Sequence, residues 1–177
     1  MPCVRLPSPG RLASGASLGR CVWCAPCSVL MEDKPSGSSV TMIFPGCFDS
    51  LAKIGEFVVR AAQSAGLDAT ATYAVEMAVD EAATNVIQHA YGGEGLGDIE
   101  CTCYINKRGL KIILRDQGRP FDPSSVPEPD IRASLEEREE GGLGLFLIRK
   151  LMDEVRFEFT PDSGNVLTMV KHREGAS

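Results

Sequence analysis

No stretch of this chain approaches the roughly 20 apolar residues that a membrane-spanning helix requires, and its start lacks the basic cluster and continuous apolar segment of a signal peptide. Nor is there a basic patch. Lys and Arg number 18 against 24 Asp and Glu, a formal charge of -6, so the electrostatic attraction that dominates nucleic-acid binding is missing. The expectation is a soluble cytoplasmic protein with no direct nucleic-acid partner and no membrane contact. A disulfide framework is also excluded. The seven cysteines are an odd count, and Cys3, Cys21, Cys24 and Cys27 crowd into the first 30 residues, where Pro, Gly, Ser and Arg follow no structural period. Cys21, Cys24 and Cys27 have the spacing at which thiolates share an ion, but a fourth nearby ligand is wanting, so they are not assigned as a metal site.

At 177 residues there is room for one domain with a real core. Residues 1–30, rich in Pro, Gly, Ser and Arg, read as poorly ordered, and the domain is expected at residues 39–172, after a disordered extension (1–38) and before a short tail (173–177). Residues 39–44 are β-branched and apolar, as a first strand should be, and Pro45-Gly46 ends them. Asp49 or Ser50 is then placed to cap a helix that puts Leu51, Ile54, Val58 and Ala61 on one face, with Gly66 as its stop.

What the chain does contain, at its centre, is residues 73–91, YAVEMAVDEAATNVIQHAY. Val75, Ala78, Val79, Ala82 and Val86 form one apolar stripe at helical spacing, within a helix capped between residues 68 and 72 and running to Gly92-Gly93. Glu81 and Asn85 lie one turn apart, roughly 100 to 140° from the stripe's centre, where side chains line the mouth of a pocket. Alone, such a pair reads as a solvated flank. Asp80 points to another, exposed face, and His89 reads as a residue packing the helix end.

From Ile99 onward the period becomes two. Ile99, Cys101, Cys103 and Ile105 alternate with polar residues, and after a turn at residues 106–109 the apolar row resumes as Leu110, Ile112 and Leu114. Cys101 and Cys103 are therefore small core residues, too far apart along one strand to be bridged. Asp116 continues the apolar row. A carboxylate on the buried side of a strand end either shapes a turn or needs a partner. Residues 123–140 carry three prolines and six acids against two arginines, an exposed loop in which Arg138 reads as a solvated charge rather than a helper at a site. The run Gly141-Gly142-Leu143-Gly144-Leu145 leads into an apolar helix, and a hairpin of two alternating segments closes the domain.

An E-x-x-x-N helix, a D-x-G after a strand and a glycine-rich turn opening a helix together resemble the nucleotide site of the GHKL, or Bergerat, ATPase superfamily. More narrowly, DEAATNVIQHAY, RDQGRPFDP and GGLGLFLIRKLMD resemble the bacterial anti-sigma-factor serine/threonine kinases. The resemblance implies an α+β fold, a two-layer α/β sandwich with a mostly antiparallel mixed sheet and helices on one face. It implies ATP and Mg²⁺, with Asn85 as the metal ligand and Glu81 as the general base. It makes Asp116 the reader of the adenine amino group and Gly118 the point of close approach. Phe121, Gly142, Leu143, Gly144 and Leu145 complete the nucleotide contacts, the glycines offering backbone N–H groups to phosphate. Where many superfamily members carry threonine this chain has Asn165, which can donate and accept but leaves nucleotide preference open. The partners implied are a sigma factor and its antagonist protein, with the kinase as a homodimer. Without phosphotransfer, the same residues would make a nucleotide-dependent binding module. A histidine kinase is disfavoured, because His89 and His172 are the only histidines and neither lies on a phospho-acceptor helical hairpin.

Overall fold

Where apolar residues alternate the chain forms strands, and where they recur at three and four it forms helices. The computed structural model describes residues 37–120, 122–123, 142–161 and 164–175. Its elements are β1 (Ser38–Pro45), α1 (Leu51–Ser64), α2 (Ala69–Asn85), β2 (Asp98–Asn106), β3 (Gly109–Asp116), α3 (Leu143–Leu151), β4 (Glu154–Thr160) and β5 (Gly164–His172). The strands make one sheet in the order β1-β2-β3-β5-β4. Among the described residues every pairing is antiparallel, where a mostly antiparallel mixed sheet was expected: β5 lies between β3 and β4, which run in the same direction, and so keeps them from pairing in parallel. The cysteines near the N-terminus, Phe121 and Arg138 lie outside the described residues.

One face of the sheet holds the core. Ile99, Cys101 and Cys103 of β2, Leu110, Ile112 and Leu114 of β3, and Met169 of β5 are buried in one cluster with Ile54 and Val58 of α1 and Val75 and Val79 of α2. Each such side chain contributes roughly 1.5–3 kcal/mol by leaving water, which is why the sheet's period of two is held so strictly. The opposite face is mixed: Glu100 pairs with Arg115 at 2.8 Å and the hydroxyls of Thr41 and Thr102 meet at 2.9 Å, beside a buried Ile113 and an exposed Ile43. Cys101 and Cys103 are free thiols, as expected. The hydrogen bond to Cys103, burial and proximity of the second thiol all push the Cys101 thiol up, so it stays protonated and inert.

Three local expectations were altered by tertiary contacts. Neither Asp49 nor Ser50 caps α1 with its side chain; a 3-10 turn (Phe48–Ser50) precedes the helix, and the Glu94 carboxylate accepts the Phe48 N–H from 46 residues away, at 2.7 Å. Asp68 does cap α2, accepting from the Ala71 N–H at 2.7 Å. The helix runs on toward Gly92-Gly93 as expected, but not as an α-helix throughout. It widens into a π-turn (Val86–Ala90), in which the Tyr91 N–H reaches the Val86 carbonyl at 2.9 Å. The extra residue per turn keeps Ile87 in the core and turns His89 outward, so His89 is exposed and does not pack the helix end.

The far edge of the sheet is tied to α3 by an ion pair. Lys171 donates to the carbonyl of Leu151 at 2.9 Å and to Asp153 at 3.0 Å, while the His172 N–H donates to Asp153 at 2.6 Å. Partial burial pushes the Asp153 carboxyl up, but these donors outweigh it and hold the carboxyl below its ordinary value. A lowered folded-state pKa adds stability above the unfolded value, about 3.9, and that stability is lost as pH falls through the folded value. Asp153→Asn should therefore lower Tm by roughly 2–4 °C at pH 7, a modest loss because the pair is partly solvated. In thermal melts the difference should close below about pH 4; a gap that persists there would assign the effect to something other than charge.

Candidate functional site

Register places the anomalous carboxylate. Asp116 ends the buried row of β3, is only 6 % exposed, and stands opposite Asn165 in the β3–β5 ladder. Its Oδ1 accepts from the Asn165 side-chain amide and from the Gly118 N–H, each at 2.8 Å. Among the described residues no donor meets Oδ2. Burial pushes the Asp116 carboxyl above its ordinary value, and the Asn165 and Gly118 hydrogen bonds pull it part of the way back. Asn165 also donates to the Arg119 carbonyl at 2.9 Å. Both partners only accept, so the amide nitrogen must face them, and its orientation follows from chemistry. Where sequence left Asn165 as a substitute for threonine, the structure makes it the clamp of the residue 116–119 turn.

That turn lies against the end of α2. The Arg119 N–H donates to the Ala90 carbonyl at 2.8 Å, and a Cβ at Gly118 would stand 2.6 Å from the Ala90 carbonyl carbon. Glycine is required there by contact, not by conformation. Five residues earlier, the Asn85 amide nitrogen donates to Glu81 Oε1 at 3.2 Å. The carboxylate accepts, so the Asn85 nitrogen is turned toward it and the carbonyl oxygen faces the other way, where among the described residues no donor meets it. A carbonyl presented in this way suits a hard divalent cation.

The third segment meets α2 at the same place. Gly142 adopts a left-handed conformation, φ 78°, and opens α3 without a side-chain cap. The first intrahelical bond runs from the Phe146 N–H to the Gly142 carbonyl at 3.0 Å, so the N–H groups of Leu143, Gly144 and Leu145 have no helical partner. Gly144 touches the Glu81 carboxylate so closely that a Cβ there would overlap it. Glu81 therefore sits against the N-terminal end of α3. Leu145 is buried, 8 % exposed, and anchors the turn, while Leu143 is 57 % exposed. Among the described residues, then, Glu81, Asn85, Gly144, Asp116, Gly118 and Asn165 are brought together along one helix.

Tyr91 was not singled out from sequence, although its hydroxyl donates to the Asp98 carbonyl at 2.6 Å and accepts from the Gln117 N–H at 3.2 Å. Its signal was present only as an aromatic residue followed by two glycines. Both glycines have positive φ.

The sequence matches the family model of the histidine kinase-like ATPase domain over residues 44–171. Among curated proteins it is 42% identical over 101 residues to the serine-protein kinase RsbW of Halalkalibacterium halodurans, covering 55% of this chain and 60% of that one. It is 37% identical over 101 residues to the serine-protein kinase RsbW of Bacillus licheniformis, covering 55% of this chain and 62% of that one. The chain thus spans a little under two thirds of the length of these relatives. A crystal structure of the RsbU and RsbW domains of a Mycobacterium tuberculosis protein superposes with a TM-score of 0.52 at 13% identity, over 76% of this chain and 32% of that one. That likeness shows a shared fold.

Proposed function

Because the chain belongs to the histidine kinase-like ATPase domain family, we propose that it is an ATP-dependent serine/threonine protein kinase of the anti-sigma type, phosphorylating an antagonist protein in a partner-switching system. The observation that carries this reading is the convergence, along α2 and the π-turn that follows it, of a carboxylate–carboxamide pair, a helix start without a side-chain cap and a buried carboxylate with one oxygen unmet among the described residues. The names of the curated relatives support the reaction class. A serine or threonine hydroxyl would enter beside Glu81, whose carboxylate takes its proton as the γ-phosphoryl group is transferred. The carbonyl oxygen of Asn85 would hold Mg²⁺. The ion, when bound, offsets the charge of the phosphates. The N–H groups of Leu143, Gly144 and Leu145, without a partner among the described residues, are placed for phosphate oxygens, and Asp116 Oδ2 for the exocyclic amine of adenine. The acidic residues expected between β3 and α3 would raise the need for those amides and the metal.

The same reading gives the chain a sigma factor and its antagonist as protein partners, a homodimeric state and a cytoplasmic setting. Among the described residues no helix is long and apolar enough to cross a membrane. Calorimetry with ATP, with and without Mg²⁺, followed by γ-phosphate transfer to a candidate antagonist protein, tests it. Metal-dependent binding and a phosphorylated serine or threonine are the expected results. Binding without transfer would replace the kinase by a nucleotide-dependent binding module, and no binding would remove both.

A further inference from the structure

We infer that Tyr91 is a positioning residue for base discrimination: through its hydroxyl it holds the residue 116–119 turn, and so decides which purines the Asp116 carboxylate accepts. The inference rests on the nucleotide reading above. Tyr91 reaches the turn from the end of α2, and its hydroxyl lies between two backbone groups, donating to the Asp98 carbonyl at 2.6 Å and accepting from the Gln117 N–H at 3.2 Å. That N–H belongs to the peptide joining Gln117 to Asp116, so the hydroxyl restrains the backbone at the reading residue itself. One residue earlier, at the end of the π-turn, the Ala90 carbonyl holds the Arg119 N–H at 2.8 Å. The turn is thus gripped at both ends by consecutive residues of one helix end, with Asn165 closing it from β5.

The ring has a built seat. A Cβ at Gly97 would overlap the Tyr91 ring, and one at Gly46 would lie 3.2 Å from it, so two backbone segments come close enough to clamp the aromatic plane. A seated ring makes the hydroxyl a fixed post rather than a mobile side chain. Burial, set against the hydrogen bond from Gln117, pushes the Tyr91 hydroxyl up from its ordinary value of 10.0, which keeps the proton that it gives to Asp98. Tyr91 has no part in the Glu81, Asn85 and Gly144 contacts, so its effect should be confined to the base.

Tyr91→Phe keeps the ring in its seat and removes only the hydroxyl. Calorimetry on the full chain would compare ADP, IDP and Mg²⁺-tripolyphosphate, the last carrying phosphates and no base. Losing the hydroxyl's two hydrogen bonds, to the Asp98 carbonyl and from the Gln117 N–H, should weaken ADP by roughly 5- to 10-fold. The preference for ADP over IDP should fall with it, tripolyphosphate affinity should hold, and hydrogen exchange at the Gln117 amide should speed up without nucleotide present. If Tyr91→Phe is too unstable to purify, Gly97→Ala, which pushes the ring from its seat, should give the same pattern. Unchanged ADP affinity and selectivity would overturn the inference, as would a parallel loss of ADP and tripolyphosphate, since that is a general loosening of the fold. Failure of the parent protein to bind ADP at all would remove the nucleotide reading and this one together. A parent that binds, beside a variant that behaves like it, would remove this one alone.

Discussion

Glu81→Gln is expected to slow phosphoryl transfer by roughly 10²- to 10⁴-fold, the ordinary worth of a positioned general base, while ATP affinity stays within about threefold of the parent. Glutamine is nearly isosteric and can still accept from the Asn85 amide through its oxygen, so the 3.2 Å contact that orients Asn85 is kept. The contact with Gly144 also survives, because it depends on the shape of the carboxyl group. What disappears is the lone pair basic enough to take a hydroxyl proton. Single-turnover kinetics on preformed nucleotide complex separates the two effects. A transfer rate equal to the parent's would show that Glu81 is not the base, and a matching collapse of affinity would show that it is structural.

The second large effect is a reversal of base preference. In Asp116→Asn the new amide is not free to turn. Its oxygen must take the Oδ1 position, where the Gly118 N–H and the Asn165 amide both donate, and its NH₂ group is then forced into the Oδ2 position. A donor would there face the amino group of adenine, itself a donor. Adenine nucleotides should weaken by about 10²-fold, which combines the loss of a charge-assisted hydrogen bond with an unpaired buried group. A 6-oxopurine, which presents an acceptor at the same point, should bind better than to the parent. Calorimetry with ADP and IDP reads the ratio directly, and undiminished ADP affinity would remove Asp116 from the base site. Protonation should act like the substitution. Because burial raises the Asp116 pKa, ADP affinity should begin to fall, as pH is lowered, above the ordinary carboxylate range of about 3.9.

The parts of this protein legible from sequence were those governed by local period. The stripe of Val75, Ala78, Val79 and Ala82 is buried as its spacing requires, and so is the alternation from Ile99 to Leu114. Asp116 was conspicuous because it broke a buried row, and its burial followed from register alone. Its partner was not legible. Asn165 lies 49 residues further on and meets Asp116 only because β5 passes β4 to pair with β3. The Glu94 cap on Phe48 is equally non-local, which is why the nearer candidates Asp49 and Ser50 were preferred. His89, read as packing the helix end, is exposed for a different reason: the helix ends in a π-turn, whose extra residue turns the side chain outward.

The amino-acid sequence by itself determined where the strands and helices lie, the faces that α1, α2, β2 and β3 bury, and the presence of a carboxylate, a carboxamide and a glycine turn at helix and strand ends. Periodicity and turn chemistry act over a few residues, so they can be read along the chain. Which side chains meet was decided only by tertiary structure, through the pairing of β3 with β5, the widening of α2 into a π-turn and the docking of α3 on Glu81. The reason is physical: a hydrogen bond between residues 49 apart exists only after many weak apolar contacts have fixed where each backbone lies.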